Sequence, residues 1–235
     1  MLDVLAAGAS QDLVKSLQIR FEEETGAQIN ATFGAVGAIQ EALLAGQACD
    51  VIIASERVID SLVESHNVLG DTGADLGFVH TGVAVPSGES HPDISTPRAL
   101  SDCLTAADRI YCTDPIRSSA GIHFASVLKR LEIFELLEDR LHTSANGAIA
   151  MRELAGRESE VGKEVLVGCT QLTEILYTPG VEVVGPLPGE FDLATLYTAR
   201  VCRNSDQRKL AARFIALLTD PASAAIREEA GFALQ

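Results

Sequence analysis

The sequence has few basic residues and no long apolar run. Its 18 Lys and Arg side chains stand against 33 Asp and Glu side chains, which gives the 235-residue chain a formal net charge of −15. This charge repels nucleic-acid phosphates and anionic membrane surfaces, so neither is an expected partner. No apolar run approaches the roughly 20 residues that span a bilayer, so membrane insertion is not expected. Any anion that this protein binds must therefore be held by local groups.

Paired cysteines and an export signal are also lacking. The five cysteines are odd in number and have no C-x-x-C spacing, so they indicate reduced thiols in a cytosol. They are Cys49, Cys103, Cys112, Cys169 and Cys202. No basic segment followed by an apolar stretch precedes the first strand, so a cytoplasmic location is expected for the chain as given. A periplasmic location is the alternative, if a signal peptide has been removed.

The common catalytic motifs are missing. The sequence has no G-x-S-x-G elbow, no Walker loop, no G-x-G-x-x-G after a strand and no H-E-x-x-H, and its five histidines lack ligand spacing. No metal and no cofactor are expected. Two residues remain candidates for proton transfer. Cys169 ends a strand against a helix start, a setting that lowers a thiol pKa, and His123 lies one turn into a helix. Whether the protein is an enzyme stays open.

What the sequence does contain is an alternation of apolar β-rich runs with helical periodicity, which predicts an α/β fold. Hydrophobic residues make up 47% of the chain and can supply a large core. Three βα units are expected within the first 66 residues. They comprise strands 2–7, 27–33 and 49–55, helices 11–25 and 38–45, and a helix that Ser55 can cap.

Residues 70–98 lose the helical period around one extended run, LGFVHTGVAVP, which indicates a crossing into a second lobe. The alternation then restarts. We expect strands at 109–114, 163–169 and 181–185, and helices at 119–131, 146–156 and 170–177. After GPLPGE at 185–190, strand 195–202 and a helix pair broken at Asp220-Pro221 return the chain to the first lobe. The expected lobes are 1–80 with 196–235, and 81–195.

Small or hydroxyl residues stand at the predicted helix starts. Open α/β sheets bind ligands outside the carboxyl ends of their strands, and a helix N-terminus offers unpaired N–H donors and about half a positive charge. Each residue taken singly reads as an ordinary cap, but their presence in both lobes predicts an anion site. These residues are Ser10, Val36 with Gly37, Ser118 with Ser119, Asn146 and Thr170.

Several longer stretches resemble the periplasmic molybdate-binding proteins of the type II solute-binding fold, over nearly the whole chain. The stretches are AAGASQDLVKSL with FEEETGAQINATFG at 6–34, EALLAGQACDVIIAS at 41–55, TDPIRSSAGIHFASVLKRL at 113–131, ANGAIAMREL at 145–154 and LTDPASAAIREEAGFALQ at 218–235. The resemblance implies two α/β lobes with a hinge between them, which close over a small oxyanion held by helix N-termini.

The resemblance also assigns site residues. It places the anion at the Ala9–Ser10 corner of the first lobe, at Ser119 and Ala120 in the second lobe, and at the turn of Asn146. Two departures remove hydroxyl donors. Val36 stands where the family has a ligating serine, and Gly168 or Cys169 stands where it often has a tyrosine.

The lost donors favour a larger or partly apolar ligand such as a carboxylate, which Arg117 can meet bidentately. Three functions follow: a solute-binding protein for a small anion, serving an ABC permease; an isomerase that moves a double bond in an unsaturated tricarboxylate such as aconitate; and an anion sensor with a protein partner. A signal peptide at the native gene start would favour uptake.

Overall fold

The chain passes from one folding unit to a second and then returns. The computed structural model describes residues 1–157 and 164–234. Unit 1 comprises Met1–Val79 with Thr195–Gln235, and unit 2 comprises His80–Ala194.

Unit 1 opens with three parallel strands, each followed by a helix. The elements are β1 Leu2–Ala7, α1 Gln11–Thr25, β2 Ile29–Gly34, α2 Val36–Leu44, β3 Val51–Ser55, α3 Glu56–Glu64 and the long strand β4 Ala74–Pro86. β1 lies between β2 and β3, and Val4 is opposite both Ala31 and Val51. β3 is buried along its whole length, as expected for a strand covered on both faces. α1 ends at Gly26, whose φ of +70° is the left-handed conformation that glycine adopts without strain.

The strands of unit 2 begin with the end of β4. The further elements of this unit are α4 Pro97–Ala106, β5 Arg109–Thr113, α5 Ser119–Arg130, α6 Phe134–Leu137, β6 Leu141–Ser144, α7 Gly147–Ala155, β7 Leu166–Gln171, α8 Leu172–Leu176 and β8 Val181–Pro186. The strand order is β4-β7-β5-β6, with β8 also paired to β4. β5 and β7 are parallel, and β4 is antiparallel to β7. One face of this sheet packs on α5 through Val83, Cys169 and Phe124.

The returning segment completes unit 1. It consists of β9 Ala194–Val201, α9 Arg208–Thr219 and α10 Ala224–Glu229. β9 is antiparallel to β3, with Ile53 opposite Ala199. α9 packs on α1, where the buried rings of Phe21 and Phe214 meet edge to face with their centroids 5.1 Å apart.

The α/β fold class is confirmed, but several elements differ from the sequence-based expectation. α4 was not expected, because Pro97 and Thr96 resemble a loop; they instead form the start of the helix, where the Thr96 hydroxyl accepts from the Ala99 amide at 3.1 Å. The short elements α6 and β6 also have too few residues to show a period. α2 begins at Val36 rather than 38. Lys163, the expected start of a strand, lies outside the described residues.

Candidate functional site

The carboxyl edge of the unit 1 sheet carries the first two predicted helix starts. Ala9 and Ser10 are buried in a single 3-10 turn between β1 and α1. The Ser10 hydroxyl donates to the Ala7 carbonyl at 2.8 Å instead of accepting from α1. Within the described residues, no side chain caps α1 or α2. The first amides of both helices, including those of Val36 and Gly37, therefore lack a capping side chain.

Ser55 was expected to cap α3. It does stand at the N-cap position, with φ −61° and ψ 144°, but no side chain of the described residues makes a capping hydrogen bond there. The expected cap is therefore absent, and α3 also begins with its first amides unsatisfied by a side chain.

In unit 2, the start of α5 follows the carboxyl end of β5. Ser118 is the N-cap, and its hydroxyl accepts from the Gly121 amide at 3.5 Å. A Cβ at Gly121 would overlap the backbone carbonyl of Asp114, so the close approach of helix and strand requires glycine there. The amides of Ser119 and Ala120 precede the first helical hydrogen bond and are donors that the helix itself cannot satisfy. This helix start retains two amides for a ligand.

Arg117 lies just before this helix start. The Asp114 carboxylate accepts from the amides of Ile116 and Arg117, at 2.8 and 3.1 Å, and shapes the turn that carries both residues. Arg117 is exposed on this turn, next to the N-cap Ser118.

The backbone amides at the start of α7 donate hydrogen bonds to side chains of the protein itself. The Asn146 amide oxygen accepts from the Ile149 amide at 3.0 Å, so Asn146 caps its own helix. The next two amides, of Gly147 and Ala148, donate to the buried carboxylate of Glu174. A Cβ at Gly147 would overlap this carboxylate, so only glycine leaves room for it. The donors that sequence reasoning assigned to a ligand at α7 are therefore satisfied by Glu174.

Thr170 and Cys169 differ from their predicted settings. Thr170 does not head a helix; it lies inside β7, buried, and its hydroxyl donates to Glu174 at 2.6 Å. The expected low pKa of the Cys169 thiol is wrong. Cys169 lies in the apolar core of unit 2, and burial raises its pKa well above the ordinary value. A buried thiol of raised pKa is a poor proton-transfer group at neutral pH.

His123 is half-buried on α5. Its Nε2 lies 2.6 Å from the Phe191 carbonyl, an acceptor, so this nitrogen carries the proton and donates it. The hydrogen bond ties α5 to the segment that precedes β9. The Nε2 atom of His123, which would otherwise exchange a proton, is therefore engaged in a hydrogen bond within the protein.

Glu174 is a functional candidate that sequence reasoning missed. Burial raises the pKa of its carboxyl to about 7, although hydrogen bonds from Thr170 and from the amides of Gly147, Gln171 and Ala148 act in the opposite direction. A carboxyl that titrates near neutral pH is suited to proton transfer. The signal in the sequence was an acidic residue in TQLTEI, directly after a buried strand.

Thr81 and Gln171 are a second missed feature. They lie directly opposite each other on β4 and β7, so their side chains project from the same face of the sheet, the face that packs on α5. Both residues are at most 3% exposed. Within the described residues, neither the Thr81 hydroxyl nor the two polar atoms of the Gln171 amide has a hydrogen-bond partner. Such groups normally find partners, and each costs roughly 1–3 kcal/mol when it does not.

Two further observations concern metal binding and membrane insertion. Among the described residues, no group of three or more His, Cys, Asp or Glu side chains could hold a metal ion. No helix in the described part of the chain is long and apolar enough to cross a membrane. The groups described at the carboxyl edge of the unit 2 sheet are amides, hydroxyls, the carboxyl groups of Asp114 and Glu174, and the Arg117 guanidinium.

The fold, two α/β units in which parallel strands lead into helices at one edge, is that of the type II periplasmic binding proteins. Residues 2–233 match the family model described as bacterial extracellular solute-binding protein, and the chain belongs to this family. The predicted resemblance is confirmed at the level of fold. The chain is 16% identical to the periplasmic molybdate-binding protein of Azotobacter vinelandii. The match covers 100% of both chains, with a TM-score of 0.78.

Two further relatives extend the comparison. The sulfate-binding protein SubI of Mycobacterium tuberculosis H37Rv is 16% identical to this chain, with a TM-score of 0.76. The match covers 98% of this chain and 85% of SubI. An aconitate isomerase from Pseudomonas sp. is 26% identical over 235 residues, which covers 98% of this chain and 86% of the relative. The structural likenesses establish the fold, and the named ligands and activity belong to those proteins.

Proposed function

We propose that the protein is a periplasmic solute-binding protein for a small anion, a carboxylate or an oxyanion, that serves an ABC permease. The observation that carries the proposal is at the edge of the unit 2 sheet. The amides of Ser119 and Ala120, which α5 itself cannot satisfy, follow β5, and β5 is parallel to β7. They therefore lie at the same edge and on the same face as Thr81 and Gln171, two buried polar side chains without partners among the described residues. Neutral donors of this kind can hold an anion in a chain of net charge −15, and Arg117 is the one basic residue in the proposed set.

In unit 1, the proposed ligand groups are the Ala9–Ser10 corner, Val36 and Gly37. In unit 2, the proposed set comprises Ser118, Ser119, Ala120 and Arg117. Asn146, Cys169 and Thr170 leave the set, because the structure gives each of them an internal role. Gln171 and Thr81 join it. The Arg117 guanidinium suits a second carboxylate on the ligand.

Gln171 also favours one ligand chemistry. Its Nε2 is a donor and suits any anion, whereas its Oε1 is an acceptor and needs a donor from the ligand. A fully deprotonated oxyanion such as molybdate or sulfate has no donor to offer. A hydroxycarboxylate satisfies both amide atoms at once, so we place this class ahead of simple oxyanions.

A thermal-shift panel tests the proposal. Citrate and tricarballylate form a matched pair, since they differ only in one hydroxyl group; molybdate, sulfate, phosphate, cis-aconitate and trans-aconitate complete the panel. A ligand at about 100 times its Kd adds about 2.7 kcal/mol and raises the Tm by about 5–10 °C for a chain of this size. We expect citrate to act at lower concentration than tricarballylate. A response to none of these anions would contradict the proposed function.

Variants then assign the response to residues. Ser10→Ala is expected to weaken binding by about 1–3 kcal/mol if the hydroxyl turns from Ala7 to the anion. Gln171→Leu should lower affinity about 10- to 100-fold and remove the preference for citrate over tricarballylate. Thr143→Val, at an exposed threonine on β6, is the control and should leave affinity unchanged.

A second candidate function is the isomerisation of an unsaturated tricarboxylate. It is favoured by the 26% identity to an aconitate isomerase over nearly the whole chain and by the Glu174 carboxyl, with a pKa of about 7. The reaction removes a proton from a methylene carbon and returns one to the far carbon of the double bond, so the double bond moves and no atom is gained or lost. Glu174 would take and return that proton.

Proton NMR of trans-aconitate with the purified protein tests this candidate. Appearance of cis-aconitate that is abolished in Glu174→Gln supports it, provided that the variant still binds citrate in the thermal-shift assay. Binding of aconitate without any interconversion would leave the protein a solute-binding protein alone.

A further inference from the structure

Two of the five thiols meet in unit 1, at the end of its sheet opposite its carboxyl edge. The Sγ atoms of Cys49 and Cys202 lie 3.3 Å apart, although the residues are 153 positions apart in sequence. Strand pairing brings them together, because the Cys202 amide donates to the Asp50 carbonyl at 2.8 Å and so extends the antiparallel contact of β3 with β9 by one step. This contact fixes the backbone on both sides of the thiol pair.

We infer that Cys49 and Cys202 form a disulfide bond when the protein is in an oxidising compartment. A disulfide needs an S–S distance of about 2.05 Å, so the sulfurs have to approach by only about 1.3 Å, within reach of small side-chain rotations. The inference rests on this geometry and does not depend on which ligand the protein binds. Members of an extracellular family work where such bonds persist.

The two thiols have different roles in the reaction. The Cys202 thiol is buried and donates toward the Cys49 sulfur, and the Cys49 thiol donates toward the Val51 carbonyl at 3.1 Å. The hydrogen bond to Cys49, burial and the nearby Asp50 raise the pKa of the Cys202 thiol. Cys49 is half-buried, and both cysteines line a cavity of about 370 Å³ through which a small oxidant reaches them. Cys49 is therefore the first thiol to react.

The chemistry is a thiol–disulfide exchange with a small disulfide such as oxidised glutathione. The Cys49 thiolate attacks one sulfur of this molecule, forms a mixed disulfide and releases one glutathione thiolate. Cys202 then loses its proton to solvent and attacks the Cys49 sulfur, which releases the second glutathione. The two protein thiols are oxidised by two electrons, and one glutathione disulfide is reduced to two thiols.

This pairing leaves three of the five cysteines, all of them in unit 2. Cys103, Cys112 and Cys169 belong to unit 2, in or against its apolar core, and burial raises the pKa of each of them. They remain thiols under the proposal. The sequence-based expectation of five reduced thiols followed from their odd number and the lack of C-x-x-C spacing, neither of which reveals that two of them are neighbours in the fold.

The test compares the full chain after dithiothreitol and after oxidised glutathione. We expect the thiol count in denaturant to fall from five to three, non-reducing peptide mapping to recover a Cys49–Cys202 cross-link, and the Tm to rise by roughly 5–15 °C, because the bond closes a very long loop. Cys49→Ser should keep all four of its thiols, whereas the control Cys103→Ser should still lose two. Five titratable thiols after oxidation, a persistent glutathione adduct on Cys49, or a cross-link among the unit 2 cysteines would each overturn the inference.

Discussion

The buried carboxyl of Glu174 makes the stability of the protein depend on pH in a predictable direction. Its pKa rises from the ordinary value of 4.5 to about 7, mainly because burial disfavours the charged form. Between these two values, the folded state binds a proton that the unfolded state has released. The contribution of Glu174 to the free energy of unfolding should therefore be highest below about pH 4.5 and should fall as the pH rises through 7.

The size of the effect follows from the same two values. A tenfold change in proton affinity corresponds to about 1.4 kcal/mol, so the difference in pKa amounts to about 3 kcal/mol. Glu174 is 5% exposed, so solvent screens this contribution little. Glu174→Gln keeps the size of the side chain and removes its titration. The difference in free energy of unfolding, wild type minus variant, should fall by about 3 kcal/mol between pH 4.5 and pH 8.5.

Urea unfolding followed by circular dichroism at several pH values measures this difference. Glu135→Gln, at an exposed glutamate on α6, is the matched control and should leave the pH profile of the wild type unchanged. A difference that stays constant with pH would refute the reasoning. A difference that grows with pH would mean that the hydrogen bonds from Thr170 and the α7 amides outweigh burial.

Three further predictions concern packing. Gly147→Ala places a methyl group on the Glu174 carboxylate and should lower the free energy of unfolding by about 1–3 kcal/mol; an unaffected urea midpoint would show that the carboxylate has room to move. Phe214→Ala removes a fully buried ring from the contact with Phe21 and should cost about 3–5 kcal/mol, read as a lower Tm, and a cost under 1 kcal/mol would contradict this packing. Arg227→Met removes the hydrogen bonds that the guanidinium donates to the carbonyls of Leu218, at 2.7 Å, and Asp220, at 3.2 Å, at the end of α9, and should cost about 1–3 kcal/mol; amide exchange that stays slow in this last turn would contradict the assigned role.

Local sequence determined the alternation of strands and helices and several helix ends. Ser118 and Asn146 were expected at helix starts and stand there as capping residues, and Gly26 ends α1 as expected. These features follow from hydrophobic period, side-chain capping and the conformational freedom of glycine, which act over a few residues. Local signals can also mislead: Thr96 and Pro97 suggested a loop, and α4 was therefore missed.

Only the tertiary structure decided which of these helix starts remain available and which groups face each other. Glu174 reaches the start of α7 from another helix, Thr81 meets Gln171 through antiparallel strands, and Cys49 meets Cys202 across 153 residues. No local pattern encodes such contacts, because they depend on strand order and register, which long-range packing sets. The sequence therefore determined the fold class and several of the helix starts, whereas strand pairing determined which chemical groups meet there.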